Sequence, residues 1–172
     1  PLLLPLLDQP CPVERMSAVY ALGRNPCPSA VQKLVSLLKT DDNAYVRRAT
    51  AWSLANYDNQ IVLKPLINAL KNDVAAVRLW SSSSLAEIGN VSSKNAELAA
   101  EQLLISLKID NESGVRSNCI WSLCRLFEKL DNTFQECFVD ECTKIALFDK
   151  EPSVMEEAKT ALDSMGMQGF YN

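Results

Sequence analysis

The sequence predicts an all-α protein: a right-handed α-solenoid of stacked helix–turn–helix repeats, forming a single domain over residues 1–172. Three observations predict it. A nine-residue string recurs without gaps as VRRATAWSL (46–54), VRLWSSSSL (77–85) and VRSNCIWSL (115–123), each opening on Val-Arg and closing on Leu. Between the strings lie apolar segments, VQKLVSLLK (31–39), LKPLINALK (63–71), AEQLLISLK (100–108) and VDECTKIALF (139–148). Their Leu and Ile recur at three- and four-residue spacing, which places them on one face of a helix. No stretch shows the alternation of a half-buried strand.

Taken in order, PLLLPLLD (1–8) matches PLINAL (65–70) and reads as the second helix of a truncated repeat, kinked at Pro5. The chain is accordingly expected to be the C-terminal part of a longer one. Repeats are expected to start near 9, 42, 74, 111 and 150. The first carries ERMSAVYAL (14–22), with Glu14 in the valine place, and the fifth VMEEAKTAL (154–162), with Met155 in the arginine place. The five strings begin at 14, 46, 77, 115 and 154, a period of 31 to 39 residues that marks a solenoid. Pro10, Pro12, Pro26, Pro28 and Pro152 fall at turns or first helical turns, where a missing N–H costs little. Asp41, Asp42, Asp73, Asp110 and Asp149 stand where they would cap the next first helix. Thr133–Glu136 and Ser153–Glu156 have capping-box spacing. The serine run 81–84 reads as helix, because the aligned places in the other strings are mostly small: Ala18, Val19 and Ala21; Thr50, Ala51 and Ser53; Cys119, Ile120 and Ser122. Small residues let stacked helices share a continuous core.

The string V-R-x-x-A-A-x-A-L, preceded by Asp and followed by a leucine-rich helix, resembles the HEAT-like repeat of the phycobilisome-lyase type. Val46-Arg47, Val77-Arg78 and Val115-Arg116, with Leu54, Leu85 and Leu123, carry the resemblance, which spans essentially the whole chain. It implies a cytoplasmic, cyanobacterial HEAT-repeat scaffold. The wider group includes bilin lyase subunits, phycobilisome-degradation factors and a HEAT protein linked to iron–sulfur assembly. The partners so implied are a phycobiliprotein, a second HEAT subunit or an iron–sulfur scaffold, and the ligand implied for the lyase branch is a phycobilin. A hydroxylase branch uses His-Glu motifs, and the chain has no histidine.

Two columns of the repeat are candidate sites. Arg15, Arg47, Arg78 and Arg116 follow the valine place and are expected to tie one repeat to the next by pairing with an aspartate or backbone carbonyls. The sharper alternative is a cationic ladder for carboxylates or phosphates. Six places after the valine stand Tyr20, Trp52, Ser83 and Trp121, where the family commonly has a polar residue. In the third repeat Trp80 sits one turn earlier, on the same face. Tyr20, Trp52, Trp80 and Trp121 are therefore expected to form a continuous partner-binding stripe that jogs at its middle. The alternative is that each indole packs over its own inter-helix turn.

Composition removes other classes. Without histidine there is no Ser-His-Asp, Cys-His or HExxH machinery, and no catalytic residue is assigned. The net charge of −4 argues against nucleic acid, and residues 131–172 carry 9 acidic against 3 basic groups, a soluble acidic end. No apolar run is long enough to span a bilayer. The six cysteines contain no CxxC and read as reduced thiols. Cys119/Cys124 and Cys137/Cys142 are expected to be buried small hydrophobes, splayed too far around their helices to share a metal. Cys11 and Cys27, in Pro-Cys-Pro loops, are the expected exposed thiols. Glu136, Asp140 and Glu141, near Lys144, read as a solvated face. No metal site or cofactor follows from the residues. Three functions stay open: a non-catalytic scaffold, a bilin lyase or isomerase subunit, and an iron–sulfur assembly accessory.

Overall fold

A computed structural model describes residues 2–57, 60–167 and 169. Among them the chain is helical throughout, with α1 (Pro12–Arg24), α2 (Val31–Thr40), α3 (Ala44–Leu54), α4 (Leu63–Asn72), α5 (Ala75–Gly89), α6 (Ser93–Ile109), α7 (Ser113–Leu126), α8 (Asn132–Phe148) and α9 (Pro152–Ser164). The odd-numbered helices stack on one another as one layer, α1 on α3, α3 on α5, α5 on α7 and α7 on α9. The even-numbered helices form a second layer, α2 on α4, α4 on α6 and α6 on α8. This two-layer stack of helix pairs is an α-solenoid.

The packing follows from the repeat. Val46, Val77, Val115 and Val154, and Leu22, Leu54, Leu85, Leu123 and Leu162, are all buried in the core. The closest hairpins join the second helix of one repeat to the first helix of the next: α2 with α3, α4 with α5, α6 with α7 and α8 with α9. Each of those connections is only two or three residues long. Leu4–Asp8 forms a single 3-10 turn in place of the second helix expected for residues 1–8. Pro5 and Pro10 leave only four residues between them, too few to close successive i→i+4 bonds. Pro1 lies outside the described residues. Pro12 and Pro152 each occupy the first helical position of α1 and α9.

The caps depart from expectation. Asn43 caps α3, accepting the N–H of Tyr45 and Val46; Ser92 caps α6 and Asp131 caps α8. Thr133 and Ser153 lie inside α8 and α9, so neither capping box forms. Asp41, Asp73, Asp110 and Asp149 cap no helix, because their carboxylates are engaged elsewhere, as described below.

The serines are small, and they also stitch neighbouring first helices together. Ser84 Oγ donates to Ala51 O at 2.8 Å and Ser122 Oγ donates to Ser82 O at 2.8 Å, each bond crossing to the preceding first helix. Asn118 Nδ2 donates to Ser83 Oγ at 2.7 Å and to Leu79 O at 3.0 Å. Ser53 and Ser81 hold buried hydroxyls with no partner among the described residues. A buried tyrosine outside the repeated strings, Tyr57, donates to Leu22 O at 3.0 Å and accepts from Cys27 N–H at 3.3 Å. It pins the end of α1 to the loop leading into α2.

Ser81→Ala is expected to stabilise the fold by about 1 kcal/mol, since it removes an unsatisfied buried hydroxyl and gains helix propensity. Ser122→Ala, which gives up an inter-helix bond, is expected to show no such gain. Urea denaturation of the two variants beside the parent chain checks the contrast.

Candidate binding surface

The two candidate columns lie on different parts of the stack. Near the start of α1, α3, α5 and α7, an arginine reaches across to the turn that precedes the next first helix. Arg15 Nε and Nη2 donate to both carboxylate oxygens of Asp41 at 2.7 and 2.9 Å. Arg47 forks onto Asp73 at 2.9 and 2.7 Å, Arg78 onto Asp110 at 2.7 and 2.8 Å, and Arg116 onto Asp149 at 3.0 and 2.7 Å. The remaining Nη1 turns back to the previous turn. Arg47 donates to Asp41 O, Arg78 to Asp73 O, Arg116 to Asp110 O, and Arg15 to Gln9 O. Each internal aspartate therefore accepts from one arginine at its carbonyl and from another at its carboxylate. The result is an unbroken ladder from Gln9 to Asp149.

The aspartates are shaped for this task. Asp41 Oδ1 also accepts Asn43 N–H at 2.9 Å, Asp110 Oδ1 accepts Glu112 N–H at 3.0 Å, and Asp149 Oδ1 accepts Glu151 N–H at 2.9 Å. Burial pushes these three carboxyls up, but the bonds from arginine and backbone N–H, together with arginine charge, more than offset it. All three lie below the usual carboxylate value. With their donor groups directed at these partners, the guanidiniums are not offered to a ligand.

The aromatic column divides. Tyr20 and Trp52 touch, ring centroids 5.4 Å apart, and both are half-buried. A Cβ on Gly23 would lie 2.5 Å from Trp52 Cζ3, so the indole seats on a glycine of the helix beneath it. Arg48 lies over the Tyr45 ring and donates to Tyr20 Oη at 3.4 Å. Trp80 and Trp121 are different: 37 % and 42 % exposed, they stand on the neighbouring helices α5 and α7. No ring contact joins either of them to Trp52 or to each other, so the stripe is not continuous by contact. Ser83 takes the aromatic place in α5 and spends it on the bond from Asn118. Arg125 of α7 lies 5.0 Å over the Trp121 ring and pairs with Glu87 of α5 at 2.8 Å. Trp80, Glu87, Trp121 and Arg125 thus share the surface of one helix pair.

The cysteines partly differ from expectation. Cys119 and Cys142 are buried, and desolvation pushes both thiols up; Cys124 is half-buried, and desolvation pushes it up to about 11. Cys137 is exposed, because it lies on the α8 face shared with Asp140 and not on the face of Phe138 and Cys142. Cys11 is exposed and Cys27 half-buried, with Cys27 Sγ 3.1 Å from Ser29 Oγ, a contact that pulls its thiol below the ordinary value. Among the described residues no three Cys, Asp or Glu groups converge on a metal position. No helix among them is long and apolar enough to cross a membrane.

A two-layer stack tied by such a ladder defines a helical-repeat solenoid. The family profile described as HEAT repeats matches residues 1–86 and 31–124, and the chain belongs to the HEAT repeat family. Among solved structures, the complex of CpcE and CpcF of phycocyanin lyase from Nostoc sp. PCC7120 is similar. It has 22 % identity and a TM-score of 0.72, over 94 % of this chain and 96 % of that one. A designed armadillo repeat protein in complex with the peptide (KR)4 is similar at 18 % identity and a TM-score of 0.66, over 98 % and 88 %. An engineered protein is similar at 21 % identity and a TM-score of 0.68, over 94 % and 76 %. At these identities the likeness is one of fold. No curated protein matches the sequence.

Arg78→Ala is expected to cost about 2–4 kcal/mol, because it leaves Asp110 charged and mostly buried without its fork. Arg78→Lys is expected to recover only part of that, since an ammonium cannot bridge both oxygens. Thermal melts of the three chains check this. The ladder also fixes a pH response. A carboxylate with a lower pKa folded than unfolded stabilises above its unfolded value of about 3.9, and the gain is lost as pH falls through the folded value. The melting temperature is expected to fall steeply below about pH 4. Asp110→Asn is expected to lower it at pH 7 but to make the acid limb shallower.

Proposed function

We propose that the protein is a non-catalytic scaffold that binds a partner protein through the first-helix face, with Trp80 and Trp121 as its anchors and Tyr20 and Trp52 continuing that face. One observation carries this reading: two large indoles stand exposed on adjacent stacked helices, one beneath an arginine. Trp and Arg dominate the residues whose truncation weakens protein interfaces most. Tyr20 and Trp52 contribute shape to that face while packing on each other and on Gly23. The similarity to the complex of CpcE and CpcF of phycocyanin lyase supports a second HEAT subunit or a phycobiliprotein as the class of partner; the setting of this proposal is the cytoplasm of a cyanobacterium.

A second reading rests on the same similarity: the chain is one subunit of a bilin lyase or isomerase and holds a tetrapyrrole against a partner's cysteine. Under it, absorbance after mixing with phycocyanobilin and a phycobiliprotein would shift and sharpen. An unchanged spectrum would remove this reading and leave the scaffold intact.

Trp80→Ala/Trp121→Ala is expected to keep the parent's circular dichroism and melting curve while its affinity for a purified phycobiliprotein or second HEAT subunit falls at least about 30-fold. A folded double variant that binds every partner of the parent chain as tightly would overturn the scaffold face.

A further inference from the structure

The second-helix layer holds a feature that the aromatic face does not use. Between α2 and α4 lies a hollow of about 330 Å³ whose lining includes Lys39, Asn68 and Asn72. Between α4 and α6 lies one of about 460 Å³, lined in part by Lys71, Ile105 and Ile109. Between α6 and α8 lies one of about 340 Å³, lined in part by Lys108, Ile109, Phe148 and Lys150. Each includes a ladder arginine, Arg47, Arg78 or Arg116, in its wall. The hollows thus recur once per repeat along one edge of the solenoid.

Outside the ladder pairs, the walls hold Lys39, Lys71, Lys108 and Lys150 against one carboxylate, Glu141 in the third hollow. The aspartates in the walls are spent on the ladder arginines. α2 and α4 contain no acidic residue and two lysines each. Lys33 is paired with Asp8, whereas Lys39 and Lys71 are exposed and have no carboxylate partner among the described residues. Lys108 lies 4.0 Å from Glu141, which Lys144 shares. The neighbouring carboxylates Asp42, Glu112 and Glu151 line none of the three hollows. At the far end the chemistry turns apolar, with Ile109 72 % and Phe148 81 % exposed.

We propose that the three hollows form one groove for an extended acidic peptide segment of a partner, its carboxylates over Lys39 and Lys71 and an apolar side chain against Ile109 and Phe148. Stacked helices lie about 8–10 Å apart, and an extended chain advances about 3.3 Å per residue. About three peptide residues therefore span one repeat, and eight or nine cover the groove. The lysines steer the acidic stretch and the apolar end sets its register. This groove lies on the second-helix layer, so it stands or falls separately from the aromatic face.

The test is fluorescence anisotropy of the whole chain with a fluorescein-labelled peptide of six glutamates followed by Leu-Phe. The peptide is expected to bind, and to bind more weakly as salt rises. Lys39→Glu/Lys71→Glu is expected to weaken it about tenfold or more, and Ile109→Ser/Phe148→Ser several-fold, both with the parent's melting curve. Trp80→Ala/Trp121→Ala is expected to bind it like the parent. Undiminished binding by the lysine variant would overturn the proposal. So would equal affinity for an Arg/Lys octapeptide, or for a DNA oligonucleotide of the same charge.

Discussion

A solenoid has no closed core, so each repeat is held to the next by the interface it shares with its neighbour. In this protein the arginine–aspartate ladder adds a fixed polar geometry to the apolar packing of that interface. Each guanidinium forks onto the aspartate of the turn ahead and donates back to a carbonyl of the turn behind, so successive turns are fixed in pairs. The pairs are mostly buried, Arg116 and Asp149 most of all. A carboxylate so placed would be unfavourable alone; with a planar fork and a backbone N–H it is satisfied. The orientation of the first helices, and hence of everything they display, depends on that geometry.

What the first helices display is graded along the stack. At the N-terminal end Tyr20, Trp52 and Gly23 interlock, and aromatic area is used for packing. Further on, Ser83 and Asn118 replace the ring contact with a hydrogen bond, and Trp80 and Trp121 are left facing outward. The second-helix layer shows its own gradient, from α2 and α4 without acids to the exposed Ile109 and Phe148. A repeat protein keeps its core columns constant and varies the outer ones, so recognition is written in the departures from the repeat.

Where the sequence reading departed from the structure, competition for one group explains it. The aspartates look like caps because they precede helices, yet each carboxylate is drawn to an arginine some 26 to 33 residues earlier, and a local N–H takes only what remains. Thr133 and Ser153 have capping-box spacing, but Asp131 and Pro152 start their helices earlier. Cys137 looks like its partner Cys142, but five residues on a helix turn it to the opposite side, beside Asp140. Tyr57 lies outside the repeated string and its two hydrogen bonds are long-range, so no local pattern marks it.

The all-helical solenoid was legible in the sequence by itself, because the strings beginning at Val46, Val77 and Val115 record packing that each repeat performs in the same way. Periodicity is a local property, and a chain displays it whether or not it is folded. Which arginine meets which aspartate, which serine reaches across, and that Trp52 is packed on Gly23 while Trp121 stands exposed were decided by tertiary structure alone. Those outcomes depend on the register between stacked helices, a relation among residues 26 to 40 positions apart that leaves no mark on either helix separately.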